Sequence, residues 1–211
     1  MATLRETRDR ITSVRNTSKI TQAMSMVATA KLRRAQDVII AARPFALQTQ
    51  KILANLASAD SEFVHPFFET RKAITSVSII VISSDRGLCG AFNTSLLRAV
   101  GLRIQELRKQ HPGVVISIIP VGKRAVNAAR KGSESIVREF NDVFQKLDYN
   151  TAVDIAELVS DSFLALRTDQ VELISNEFVT VMRQEVRRMQ LLPIVPNATQ
   201  GTPEKPTEYI F

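Results

Sequence analysis

Apolar and polar residues follow two different periods along this chain, and the change of period divides it. Residues 4–56 carry a helical pattern that contains no Gly and a single Pro, Pro44. With heptad position a set at Ile11, the a positions are Ile11, Ser18, Ser25, Leu32, Ile39, Ala46 and Leu53. The d positions are Val14, Thr21, Ala28, Ala35, Ala42, Thr49 and Leu56. No charge falls on either line, so the pattern predicts a helix with a coiled-coil seam. Most seam residues are small. They let a partner helix approach closely but hold it less tightly than a Leu/Ile zipper would. A second apolar line, Ile20, Met24 and Val27 with Ala23 and Met26 beside it, makes residues 20–30 apolar nearly all round. A helix of that kind is buried on every side; a short hydrophobic stretch in an ordinary core helix carries the same pattern. At ~1.5 Å per residue the whole helix extends on the order of 80 Å. That exceeds the width of a domain of 211 residues, so the helix must lie against something else. Pro44 lacks an N–H and crowds the carbonyl of Ile40, which predicts a bend there, or a break with Pro44 opening a second helix.

Beyond a connection at 58–74, strand and helix patterns alternate. Residues 75–84 are β-branched and apolar on both faces in their second half, as in a central parallel strand covered on both sides. Asn93 or Thr94 is placed to cap a helix through Leu96, Leu97, Val100, Ile104 and Leu107, which Pro112-Gly113 ends. A strand at 114–121, a short helix at 123–131, a short strand at 135–140 and an amphipathic helix at 150–167 follow. Residues 170–181 read as a strand with Val171, Leu173 and Ser175 on one face and Glu172, Ile174 and Asn176 on the other. Residues 186–194 return antiparallel to it, stopped by Pro193 and Pro196. The fold class is therefore α/β: a long N-terminal coiled-coil helix (1–58), a connection (59–74), a mostly parallel-sheet α/β domain with an antiparallel edge hairpin (75–195), and an extended tail (196–211).

Charge adds a partner class. The net charge is +7. Residues 1–60 hold ten Lys/Arg against four Asp/Glu, a difference of +6, so nearly all the excess lies on the long helix. A solvated face, an acidic protein surface and nucleic acid or an anionic membrane are the readings of such a helix. Glu6, Asp9 and Asp37 interrupt the cations, which places nucleic acid last. With one cysteine, Cys89, an intrachain disulfide framework is excluded and a reducing compartment is expected. No run reaches 18 apolar residues, so no membrane-spanning helix is predicted.

Catalytic equipment is sparse. Gly87-Leu88-Cys89-Gly90 follows a strand and precedes a helix, but it has neither the Gly-x-Gly-x-x-Gly spacing nor the Lys-Ser/Thr of a phosphate loop. Residues 120–122 stand where an acidic residue would take a ribose. Cys89 next to Arg86 has the setting of a thiolate nucleophile, yet the two histidines, His65 and His111, fall in connecting segments and supply no base. A small buried Cys in a tight turn is the preferred reading. No metal-ligand spacing or carboxylate pair stands out, and no cofactor is implied.

Three stretches are similar to those of a known family. Residues 11–35, Ile11-Thr12-Ser13-Val14-Arg15-Asn16-Thr17-Ser18-Lys19-Ile20-Thr21-Gln22-Ala23-Met24 through Lys31-Leu32-Arg33-Arg34-Ala35, resemble the N-terminal signature of the gamma subunit of F-type ATP synthases, of bacterial type. Ser84-Asp85-Arg86-Gly87-Leu88-Cys89-Gly90-Ala91-Phe92-Asn93 resembles its second signature, and Glu208-Tyr209-Ile210-Phe211 the segment before its final helix. The resemblance implies a non-catalytic central-stalk rotor subunit that couples proton-driven rotation of the c ring to ATP synthesis or hydrolysis in the beta subunits. Its partners would be three alpha and three beta subunits, the epsilon subunit and the c-subunit ring. It would have no direct membrane insertion and would sit peripherally on the cytoplasmic side of a bacterial plasma membrane. A basic-helix nucleic-acid-binding protein is the alternative. The resemblance further implies that Met24 lies where the beta subunits grip the shaft. Lys31, Arg33, Arg34, Arg86 and Cys89 would lie near acidic lever loops of those subunits. The seam, led by Ile11, Val14, Ser18, Thr21, Ser25, Ala28, Leu32, Ala35, Ile39 and Ala42, would take the family's long C-terminal helix. That helix should begin just after Phe211, where this sequence stops.

Overall fold

The computed structural model describes residues 3–59, 65–144, 147–180 and 183–195. The expected tail at 196–211 and the seam side chains of Leu53 and Leu56 lie outside what is described. Two compact units, Met1–Ala59 and Asp60–Phe211, divide the chain.

The first unit is a single helix, α1 (Leu4–Ala59). Its start is set by a reciprocal cap that the sequence carries as Thr-x-x-Glu. The Thr3 amide donates to Glu6 Oε2 at 2.8 Å and the Glu6 amide to Thr3 Oγ1 at 3.3 Å, which satisfies two amides that have no partner inside the helix. Of the bend or break expected at Pro44, the break does not occur; the helix runs through it. Proline removes one bond of the ladder, and the good helix formers on both sides, Ala41-Ala42-Arg43 and Ala46-Leu47-Gln48, keep the adjoining turns.

The second unit is a three-layer domain. It begins with a 3₁₀ turn (Pro66–Phe68), followed by β1 (Ser76–Ile82), α2 (Phe92–Gln110), β2 (Val115–Val121), α3 (Lys123–Ala129), β3 (Ser135–Ile136), α4 (Tyr149–Leu164), β4 (Gln170–Thr180) and β5 (Arg183–Leu192). The sheet order is β3-β2-β1-β4-β5. β1 pairs in parallel with β2 and β4, β2 in parallel with β3, and β5 runs antiparallel to β4. Alternation along β1 sends Val77, Ile79 and Val81 into a core with Leu96, Val100 and Leu107 of α2. Ile80 joins Val159 and Phe163 of α4 in the core on the opposite face. β1 is covered on both faces, which is why it reads as an unbroken apolar run. The predicted third strand shrinks to Ser135–Ile136, with an isolated bridge from Val121 to Phe140 beyond it.

The two faces expected for β4 also emerge. Val171 packs in the core under α4, while Ile174 belongs to the core under α2. Glu172 lies on the α2 side, where Arg103 meets it. Asn176 donates to the Phe92 carbonyl at the start of α2, at 3.1 Å.

Candidate partner-binding site

Two surfaces hold the residues singled out from the sequence, and they belong to separate units. The first is α1. Of its side chains from 4 to 49, all but Gln36 are exposed, including Lys31, Arg33 and Arg34. Met24, at the centre of the apolar collar, is 65 % exposed, and Ile20, Met26 and Val27 are exposed with it. Val14, Ser18, Thr21 and Ser25 line one shallow furrow together with Ser13, Thr17 and Gln22. Spacings of three and four residues bring them to one face. The seam's hydroxyls are partly spent within the helix. Thr21 Oγ1 donates to the Thr17 carbonyl at 2.9 Å, and Thr49 Oγ1 to the Phe45 carbonyl at 3.0 Å. With its oxygen turned back on the ladder, such a threonine offers its methyl to a neighbour.

The second surface is the turn after β1. Three anchors hold it. Ser83 Oγ accepts from the Ala125 amide at 2.7 Å. Asp85 accepts from the Lys123 amide at 2.9 Å and, through its other oxygen, from the Phe144 amide at 3.0 Å. Asn93 replaces the expected cap with a different task. The N-cap of α2 is Ala91, which has no side-chain cap bond. Asn93, in the first turn, reaches back: its Oδ1 accepts from the Ser84 amide at 3.1 Å and its Nδ2 donates to Ser84 Oγ at 2.8 Å. Ser84 Oγ in turn donates to the Arg86 carbonyl at 2.6 Å.

This stapled turn presents Arg86, Leu88 and Cys89 outward. Leu88 takes a left-handed conformation, φ 61°, and is fully exposed. Cys89 is exposed too, which corrects the expectation of a buried thiol. The tight turn sits at the outer end of β1, and Asn93 Nδ2 donates to the sulfur at 3.0 Å. Its hydrogen-bonding neighbours, Asn93, Ser84 and the Arg86 carbonyl, include no base that would take its proton. Beside the turn a concave surface is lined by Gly87, Asn93, Leu97, Arg124, Asn127 and Lys131. A Cβ at Gly87 would stand 2.3 Å from Arg124 Nη2, the free end of a flexible side chain that can swing aside. Among the described residues no cluster of three or more His, Cys, Asp or Glu is placed to hold a metal.

Sequence reasoning missed the staples. Asp85 and Ser84 had a visible signal as short polar residues at a strand end, but their partners lie on α2, α3 and the segment after β3. Arg124 carried no signal; it is one of two adjacent cations at the start of a short helix.

The long exposed helix and the mostly parallel α/β domain are what this chain shares with a chain of a solved ATP synthase central stalk. Residues 3–211 match the family model described as ATP synthase. The chain is 41 % identical over 211 residues to the ATP synthase gamma chain of Trichlorobacter lovleyi, covering all of this chain and 72 % of that one. It is 37 % identical over 213 residues to that of Chlorobaculum parvum, with the same coverage. A chain in the central stalk and c-ring structure of the Tetrahymena thermophila mitochondrial ATP synthase superposes with a TM-score of 0.64 at 27 % identity, covering 82 % of this chain and 72 % of that one. The chain belongs to the ATP synthase gamma chain family, as a rotor subunit of an F-type ATP synthase.

Proposed function

We propose that this chain carries rotation between the c-subunit ring and three catalytic beta subunits, and has no catalytic site of its own. The observation that carries the reading is the bare collar. Ile20, Met24, Met26 and Val27 are exposed on α1, and an apolar surface of that kind calls for a partner. Met24 is the bearing contact inside a ring of three alpha and three beta subunits. Lys31, Arg33 and Arg34 of α1, with Arg86 and Cys89 of the turn, face acidic loops of the beta subunits. The furrow from Ile11 through Ala42 takes a second long helix. An off-axis shaft presents a different face to each of three sites, so its rotation shifts their nucleotide affinities in turn. The α/β domain carries the contacts to the epsilon subunit and the c ring. No helix among the described residues is long and apolar enough to cross a membrane, which fits a peripheral position on the cytoplasmic side of a bacterial plasma membrane.

Met24→Lys tests the reading. In the assembled complex it should uncouple proton flow from ATP turnover while the alpha and beta subunits still co-purify. Unchanged coupling in an assembled complex overturns the placement of Met24. A chain that stays free in a lysate containing alpha and beta subunits overturns the rotor reading. Salt-sensitive binding to generic duplex DNA by the free chain would favour the nucleic-acid alternative.

A further inference from the structure

Leu88 stands in water in a conformation that leucine rarely takes. Its side chain is fully exposed and its φ is 61°. A bulky residue keeps a left-handed backbone only where its surroundings impose it, and here they do. On one side of it the Arg86 carbonyl accepts from Ser84 Oγ at 2.6 Å and from Asn93 Nδ2 at 3.4 Å. On the other the Cys89 carbonyl accepts from the Phe92 amide at 3.3 Å. Phe92 and Asn93 open α2, so the leucine is displayed from a fixed element. A single exposed leucine is ordinary on a protein surface. One held there against its own backbone preference points to a contact.

Leu88 borders the concave surface between the turn and α3. The two cations of that surface, Arg124 and Lys131, meet no carboxylate among the described residues, whereas Arg130, between them in sequence, pairs with Glu139. No acidic residue lines the concavity, and Leu97 gives it an apolar part. The first amides of α3 are already spent. Lys123 donates to Asp85 Oδ1 at 2.9 Å, Arg124 to the Ser84 carbonyl at 3.2 Å and Ala125 to Ser83 Oγ at 2.7 Å. Phosphate recognition leans on free amides of that kind, so the surface suits carboxylates with an apolar neighbour instead.

We propose that Leu88 is the apolar anchor, and Arg124 and Lys131 the charge partners, of a docking surface for an acidic protein segment with an apolar recess beside its carboxylates. The proposal rests on the reading that the turn faces a beta subunit, and adds to it the leucine and the cations at the two ends of α3.

The test compares maleimide labelling of Cys89 in the free chain and in the complex assembled with alpha and beta subunits. Assembly should slow the wild-type reaction about tenfold or more. Leu88→Asn accepts the left-handed backbone and removes the anchor; its assembled rate should return to within about twofold of its own free rate. Arg124→Gln/Lys131→Gln should weaken the protection about threefold and remove its dependence on salt. Arg130→Gln, at a cation already paired, is the control and should behave as wild type. Protection unchanged in either Leu88→Asn or the double variant overturns the proposal, as does an equal loss in Arg130→Gln. Slower labelling of the free chain by inorganic phosphate alone would give the cations to a small anion and overturn it too. An unprotected Cys89 in the assembled wild type counts against the facing of the turn itself, and the proposal falls with it.

Discussion

Arg103 of α2 grips Glu172 of β4 through two bonds, Nη2 to Oε1 at 2.6 Å and Nε to Oε2 at 2.9 Å. Glu172 is 2 % exposed. Gln170 Nε2 adds a bond to Oε1 at 2.8 Å, and Glu106 meets the outer nitrogen of the guanidinium at 3.2 Å. The hydrogen bonds that Arg103 donates to Glu172 hold the Arg103 pKa above its ordinary value, against the opposing effect of burial. An isolated buried charge is costly, so this pair matters most when one member is removed.

Arg103→Met should therefore destabilise the chain by about 3 kcal/mol, since it strands a buried carboxylate. The double variant Arg103→Met/Glu172→Leu should recover most of that loss. Urea unfolding of the two variants against wild type checks both values; a double variant no more stable than the single would contradict the account.

Asp169 sets an acid limit. Burial pushes its carboxyl up, but hydrogen bonds from Thr75, Arg71 and the Ser76 amide outweigh it and lower the pKa to about 2. A depressed carboxylate stabilises the fold above its unfolded pKa and loses that contribution as pH falls through the folded value. The gain is about 2 kcal/mol at neutral pH. It should be complete above about pH 4 and gone below about pH 2. Asp169→Asn should thus lie below wild type in stability at pH 7, with the gap closing over that window. Unfolding at a series of pH values reads it directly.

Two glycines should answer oppositely to the same change. Gly122 has φ 90°, and a Cβ there would stand 2.3 Å from the Ser83 carbonyl oxygen. Gly122→Ala should cost about 2 kcal/mol or more, through left-handed strain and the clash that parts the β1 and β2 ends. Gly101 sits inside α2 with open space around it, so Gly101→Ala should stabilise by about 0.5–1 kcal/mol. Thermal melts of both variants give the signs.

Cys89 is exposed on the free chain, so a maleimide should label it without prior unfolding. Binding of the turn in the assembled complex should slow that labelling by about tenfold or more, as expected where a partner excludes the reagent. Equal labelling rates, free and assembled, would remove Cys89 from the interface.

The elements of the fold were legible wherever one period ran long enough to dominate. Residues 75–84 announced β1 because both faces of that strand are buried, and α2 showed its apolar stripe. The helix at 4–56 was legible for the same reason. The resemblance rested on local words, Ser84 to Asn93 above all. Asn93 misled, because its local preference for a cap yielded to a better partner in Ser84.

Hydropathy and spacing along the chain thus determined the element order, the long helix α1 and the mostly parallel sheet, all of which depend on residues near in sequence. Only the tertiary structure decided that Cys89 faces outward, that Asp85 joins β1 to α3, and that Arg71 meets Asp169. Those contacts join residues far apart in the chain. Asp169 looks like an ordinary turn aspartate until the strands pair and bring Thr75 and Ser76 within 3 Å of it. A pairing of that kind is set by the packing of whole layers, and no local pattern encodes it.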